Sequence, residues 1–258
     1  MITAASNSRI KRLVQLNQKS KLRRTEDVFL AEGVKMFLEA PREQLQEVYV
    51  SESFLEKCSC REHLEAVGYE VVSDSVFSKI SDTCTPQGVL CVLKQFHYNI
   101  EEMLRDKAPL FLLLENIQDP GNLGTMLRTG EGAGVSGIIM SRDTVDLYNP
   151  KVIRSTMGSI YRVPFYYADD FAAAVHQVQQ AGVSVYAAHL RGKNSYACQD
   201  YTKGTAFLIG NEGNGLREET AELADCYIRI PMEGKVESLN AAVASSILMY
   251  EEHRQRAI

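Results

Sequence analysis

No apolar run in the 258-residue sequence is long enough to span a bilayer, and the N-terminal MITAASNSRIKRL lacks the hydrophobic core of a signal peptide. These absences exclude a helical membrane protein and point to a cytoplasmic one. A disulfide framework is missing as well. Cys58, Cys60, Cys84, Cys91, Cys198 and Cys226 show no paired spacing, so free thiols in a reducing compartment are expected. Cys58-x-Cys60 with His63 lacks both the two-residue spacing and a fourth ligand of a zinc site, so no metal is expected. There are no internal repeats and no low-complexity tracts. An excess of positive charge is also absent, for the formal net charge is −5. The charges are unevenly spread, however. Arg9, Lys11, Arg12, Lys19, Lys21, Arg23 and Arg24 all precede the first acid, Glu26, giving a basic segment suited to phosphate contacts, or alternatively a solvated helix face.

What is present is a chain with 45% hydrophobic residues, enough for a sizeable core in two domains. Residues 1–96 alternate helix-like and strand-like segments, among them strands near Val28, Val48, Tyr69 and Val89 and one charged helix from Phe54 to Val67. Residues 97–108 are mostly polar and read as a linker. Residues 109–258 form a second α/β alternation, with strands at Leu110, Gly137, Val183, Ala206 and Tyr227, and helices after Pro120, Pro150 and Asp170.

Two stretches of this second region carry the chemistry. The short apolar runs 206–209 and 227–230 each lead directly into a turn, Gly210-Asn211-Glu212-Gly213-Asn214-Gly215 and Pro231-Met232-Glu233-Gly234. Glycines let a ligand approach the backbone, and Glu212 and the asparagines supply polar groups. Two such loops at strand ends suggest a small-molecule pocket. Ser238 stands where a helix N-cap would, ahead of a helical apolar face beginning at Leu239. The dinucleotide fingerprint spelled by Gly132, Gly134 and Gly137 closes a helix and precedes a strand. The order is the reverse of what a pyrophosphate site needs, so an oxidoreductase is discounted.

The two loops, together with Asn116-Ile117-Gln118-Asp119-Pro120-Gly121-Asn122-Leu123-Gly124 and Arg128 upstream, resemble the three ordered motifs of the SpoU (TrmH-type) RNA ribose methyltransferases of the SPOUT superfamily. The resemblance implies a trefoil-knotted α/β domain, S-adenosyl-L-methionine as cofactor, and 2′-O-methylation of structured RNA. It implies catalytic roles for Arg128, Asn122, Glu212, Ser238 and Asn240, and cofactor contacts from Gly210, Ile230, Met232 and Leu239, with Ala188 and His189 as further contacts. It also implies a homodimer formed through the knotted domain. Arg24, Phe29, Glu32 and Gly33 give the first region a likeness to the N-terminal α/β RNA-recognition domain of such enzymes, itself similar to a ribosomal protein that binds kinked RNA.

On the chemistry of the side chains alone, a guanidinium stays protonated at neutral pH and makes a poor base, while Glu212 is an easier one. The proton acceptor is therefore open between them. RNA contacts are expected from Arg9, Lys11, Arg12, Arg23 and Arg24, and from Lys151 and Arg154, three apart on one helical face. Ribosomal RNA is favoured as partner over transfer RNA. The competing classes are a transfer RNA methyltransferase and a non-catalytic ribosome-assembly factor with the same fold.

Overall fold

Ile10, Leu13 and Leu16 recur at helical spacing and form the buried stripe of α1 (Ser8–Gln18), whose first turn is capped by Asn7 accepting the N–H of Arg9 at 2.9 Å. A second short helix, α2 (Ser20–Glu26), ends at Asp27 in the left-handed conformation. There follow β1 (Val28–Glu32), α3 (Val34–Leu38), β2 (Leu45–Ser51), α4 (Glu52–Lys57), α5 (Arg61–Val67), β3 (Glu70–Val72), α6 (Asp74–Ile80) and β4 (Val89–Lys94). The four strands form one sheet in the order β1-β4-β2-β3, with β4 antiparallel to both neighbours and β3 parallel to β2. Leu30, Tyr49, Leu90 and Val92 meet the stripe of α1 and Val76, Phe77 and Ile80 of α6 in one buried cluster. The single helix expected over 54–67 is two. Cys58 adopts an extended conformation, and no apolar stripe runs across 58–60 to hold the helix together.

The computed structural model describes residues 1–257, and the chain divides into two compact units. The first comprises Met1–Phe96 and Asp146–Tyr161, and the second comprises His97–Val145 and the residues from Arg162 onward. In chain order the next elements are α7 (Ile100–Met103), β5 (Leu110–Leu114), α8 (Pro120–Ala133) and β6 (Gly137–Ser141). Helix α9 (Pro150–Thr156) belongs to the first unit, where Tyr148 just before it lies 4.8 Å from the ring of Phe29 on β1. Then come β7 (Phe165–Ala168), α10 (Phe171–Gln180), β8 (Ser184–Ala188), β9 (Asn194–Ser195), β10 (Thr205–Ile209), α11 (Glu218–Ala221), β11 (Cys226–Arg229) and α12 (Ala241–Arg256).

The second unit is a seven-stranded parallel sheet in the order β7-β6-β5-β10-β8-β11-β9. Its central strands are apolar on both faces, as a parallel sheet covered by helices requires. Phe111, Leu113, Ala206, Leu208, Val185 and Ala187 face Ala174, Val175 and Val178 of α10, while α8 and α12 pack together. Ile100 and Met103, in the stretch read as a linker, are buried in this core. At Gly137 a Cβ would meet the terminal methyl of Met103, so the last glycine of the misleading fingerprint lies against the core rather than at a ligand site. Gly134 ends α8 with a φ of 82°, which explains the middle one.

Candidate active site

The strands β8, β10 and β11 are neighbours in the sheet, and their carboxyl ends open on a cavity of about 310 Å³. Ligands of open α/β sheets bind at such ends. All six residues expected to touch a cofactor, Ala188, His189, Gly210, Ile230, Met232 and Leu239, line this cavity together with Glu212 and Ser238. The loop after β10 is shaped by its own backbone. Asn211 and Gly215 exchange N–H to carbonyl bonds of 3.0 and 2.9 Å, and the Asn211 side chain accepts the N–H groups of Gly213 and Asn214 at 2.9 and 3.1 Å. Gly215 closes the turn with a φ of 69°, and a Cβ on Gly210 would run into the backbone of Gly215 and Leu216.

Beside the cavity, the three motif regions are joined by side chains. Helix α8 begins with Asp119 as its cap, accepting the N–H of Asn122 at 2.8 Å, and Pro120 in the first turn. Because Asp119 does the capping, the Asn122 side chain is free for other work. It donates to Glu212 Oε1 at 3.0 Å and accepts from Asn240 Nδ2 at 3.0 Å. Glu212 also accepts the backbone N–H groups of Asp119 at 3.0 Å and Gln118 at 3.1 Å. Burial opposes its charge, but the bonds from Asn122 and these backbone groups outweigh that and hold its carboxyl below the ordinary range. Glu212 is thus a fixed anion with its oxygens occupied. Asn211 adds a tie of 2.8 Å from its amide to the carbonyl of Asn116, which itself takes a left-handed φ of 55°. Asn116, Gln118 and Asn211 were not among the expected site residues, although all three lie inside the motifs.

Three expected residues behave differently from that network. Arg128, on α8, is exposed and makes no hydrogen bond or ion pair to any described residue. Ser238 is exposed on the cavity wall and does not cap the helix, because α12 starts later. Asn240 is the cap, accepting from Ala242 and Val243 at 2.9 and 3.2 Å, and Leu239 precedes the helix. His189 stacks on Tyr227 at 5.0 Å and accepts the N–H of Arg191 on Nδ1 at 3.1 Å. Burial and the charge of Arg191 hold its pKa below the usual value, so it presents a neutral imidazole.

The basic residues of the first unit do not form one set. Arg23 is 3% exposed and donates to the carbonyls of Leu16 and Asn17, at 2.6 and 3.2 Å, and to Asp146 at 2.5 Å. It is a structural cation that no phosphate can reach, contrary to expectation. Arg12 is committed to Glu26 and Glu47, each at 2.7 Å. Arg9 and Arg154 are exposed and pair with Glu70 at 3.2 Å and Asp82 at 3.4 Å. Lys11, Arg24 and Lys151 project into solvent.

The sequence and the fold both have known relatives. Residues 109–250 match the model of the SpoU rRNA Methylase family, and residues 7–91 match the MRM3-like substrate binding domain. The 23S rRNA (guanosine(2553)-2′-O)-methyltransferase RlmP of Bacillus subtilis is 31% identical over 251 residues, covering 96% of this chain and 97% of that protein. Among solved structures, the AdoMet-bound rRNA methyltransferase from Sinorhizobium meliloti superposes with a TM-score of 0.85 at 31% identity, covering 98% and 97% of the two chains. The SpoU methyltransferase AviRb from Streptomyces viridochromogenes, in complex with AdoMet, gives 0.88 at 26% identity, covering 97% and 98%. With its second and third motif regions lining one cavity, the first tied to both through Asn122, and a family model spanning more than half its length, the chain belongs to the SpoU rRNA methylase family.

Proposed function

We propose that this protein is an S-adenosylmethionine-dependent RNA methyltransferase that modifies a ribose 2′-hydroxyl in ribosomal RNA. The observation that carries this reading is the convergence of all six expected cofactor residues on one cavity, next to the chain Glu212-Asn122-Asn240. The residues present fit the cofactor. A volume of about 310 Å³ suits a small molecule, Ile209, Met232 and Leu239 give an apolar wall, and the bare Cα of Gly210 leaves backbone groups accessible. When bound there, S-adenosylmethionine supplies an electrophilic methyl group. The substrate relatives named for 23S rRNA support ribosomal over transfer RNA.

The roles follow from the side chains. Glu212 holds the N-terminus of α8 and orients Asn122, and with its oxygens occupied and its basicity lowered it is not the proton acceptor. Asn122 and Asn240 form an amide pair that can orient the ribose. Arg128, without a partner among the described residues, holds an RNA phosphate with its planar fork and stabilises the developing alkoxide. A guanidinium does not take the proton at neutral pH, so the proton passes to solvent water as the new O–C bond forms and makes the hydroxyl strongly acidic. Ser238, on the cavity wall, contacts substrate or cofactor. In the first unit Lys11, Arg24 and Lys151 are the RNA contacts, with Arg9 and Arg154 released from weak surface pairs. The trefoil knot, the kinked-RNA specificity of the first unit, the homodimer and a cytoplasmic location belong to the same reading. The insertion of β10 between β5 and β8 and the packing of α12 on α8 and β10 support the knot.

The test is nucleotide-resolution mapping of ribose methylation in RNA from cells lacking the gene, complemented with wild type or Arg128→Ala. One ribosomal site should vanish and return only with wild type. A site lost from transfer RNA instead would correct the substrate, and no change at any site would favour a non-catalytic role.

A further inference from the structure

Glu115 follows β5 directly, and its carboxylate is 1% exposed. It is satisfied by the segment that leaves the loop after β10. It accepts the backbone N–H of Arg217 at 2.8 Å, Arg217 Nη1 at 3.3 Å and Thr220 Oγ1 at 2.5 Å. A buried carboxylate tolerates burial only with such donors, so this end of the loop is fixed to the end of β5. The other arm of the same guanidinium donates to Asp143, just beyond β6. Asp143 in turn accepts Ser141 Oγ at 2.5 Å, and that hydroxyl accepts the N–H of Asn116 at 2.9 Å. Gln118 completes the path. Its amide donates to the carbonyl of Asp143 at 2.6 Å, and its backbone N–H donates to Glu212 at 3.1 Å. Burial works against the charge of Asp143, but the bonds from Ser141 and Arg217 keep its carboxyl below the usual range.

We propose that Arg217 is a positioning residue for methyl transfer: clamped between Glu115 and Asp143, it sets the spacing of the loop 210–216 from the turn 116–119, and so the places of Glu212 and Asn122. This rests on the reading of the cavity as the S-adenosylmethionine site. A lysine cannot reproduce the clamp, because one ammonium group has no planar fork to span two carboxylates. Nothing in the role requires Arg217 to touch either substrate.

The experiment compares wild type, Arg217→Lys, Arg217→Met and the double variant Glu115→Gln with Arg217→Met. The readouts are calorimetric titration with S-adenosylhomocysteine, methyl transfer to RNA from cells lacking the gene, and thermal unfolding. Arg217→Met should weaken cofactor binding about tenfold and slow turnover at saturating cofactor and RNA about a hundredfold, as expected when reacting groups are held slightly out of place. Arg217→Lys should fall between this and wild type. The double variant no longer buries an uncompensated carboxylate, so it should recover melting temperature while turnover stays low. Recovery of turnover along with melting temperature would reduce Arg217 to a stability role and overturn the proposal. So would a change confined to the KM for RNA, which would make Arg217 a substrate contact, or no change in any readout. A wild-type protein that does not bind S-adenosylhomocysteine would overturn the cofactor reading itself, and this proposal with it.

Discussion

The glycine-rich loops at the ends of β10 and β11 and the basic stretch over residues 9–24 both stand out in the sequence, yet folding treats them in opposite ways. Every expected cofactor residue from the loops and from the end of β8 faces one cavity. The basic residues scatter: Arg23 is buried, Arg12 is tied to two acids, and Lys11 and Arg24 reach solvent. The difference lies in the range of the forces. A glycine turn is closed by partners four or five residues away, as Asn211 and Gly215 show, so its shape is local. A charge is paired or left free by residues brought from far along the chain, as with Arg23 and Asp146.

The comparison can be broken most directly at Arg128, the expected catalytic cation, which has no partner among the described residues. Arg128→Ala should lower methyl transfer about a thousandfold or more, the scale of a lost group aimed at developing charge. The affinity for S-adenosylhomocysteine should stay within about twofold, because no cofactor role is assigned to it. Loss of cofactor binding in a folded Arg128→Ala protein would sink that division of labour. Next comes the buried cation. Arg23→Met should cost about 3 kcal/mol in denaturant unfolding by stranding Asp146 and two carbonyls, and a variant as stable as wild type would contradict the structural role. In the loops, Gly210→Val should weaken cofactor binding about a hundredfold, since a side chain there displaces the 215–216 backbone. Undiminished affinity would move the cofactor site elsewhere.

Two smaller effects sharpen the contrast. Glu252, on α12, is 2% exposed beside Arg256 at 2.5 Å, and burial outweighs that partner to push its carboxyl up to about 7. The folded state therefore binds the proton more tightly than the unfolded one. This stability contribution is complete below about pH 4.5 and is lost as pH rises through 7, an effect on the order of 3 kcal/mol. Glu252→Gln should flatten that slope in unfolding measured from pH 5 to 8, and an unchanged slope would assign it to another group. Last, Arg24→Ala should leave the melting temperature alone and reduce the salt dependence of RNA binding by about one contact. A fall in stability without that change would place Arg24 with Arg23.

The same distinction explains what could be read from the sequence. Strands β5, β6 and β10 were legible because Leu110 to Leu114, Gly137 to Met140 and Ala206 to Ile209 are apolar runs bounded by glycine or proline. β7 was not, because Tyr166 and Tyr167 are only partly buried and Phe165-Tyr166-Tyr167 lacks the aliphatic signal of its neighbours. The cap of α12 is Asn240, two residues beyond the expected Ser238, since serine and asparagine are equally good caps and only the backbone decides between them. Within the site, Glu212 was recognisable as important from its motif. Its character as a fixed anion was not, because its donors Gln118, Asp119 and Asn122 lie ninety or more residues upstream.

The contact between Met103 and the bare Cα of Gly137 has a bearing on how the methylase unit can be cut out of the chain. A fragment beginning at Pro109 would contain every motif residue, yet it would lose Ile100 and Met103 from beneath the sheet. Vacating the Met103 site alone should cost about 2–5 kcal/mol, as large-to-small changes in a core do. A fragment beginning at His97 keeps both side chains, so the smallest portion worth expressing alone starts upstream of the motif region, at residues that carry no chemistry.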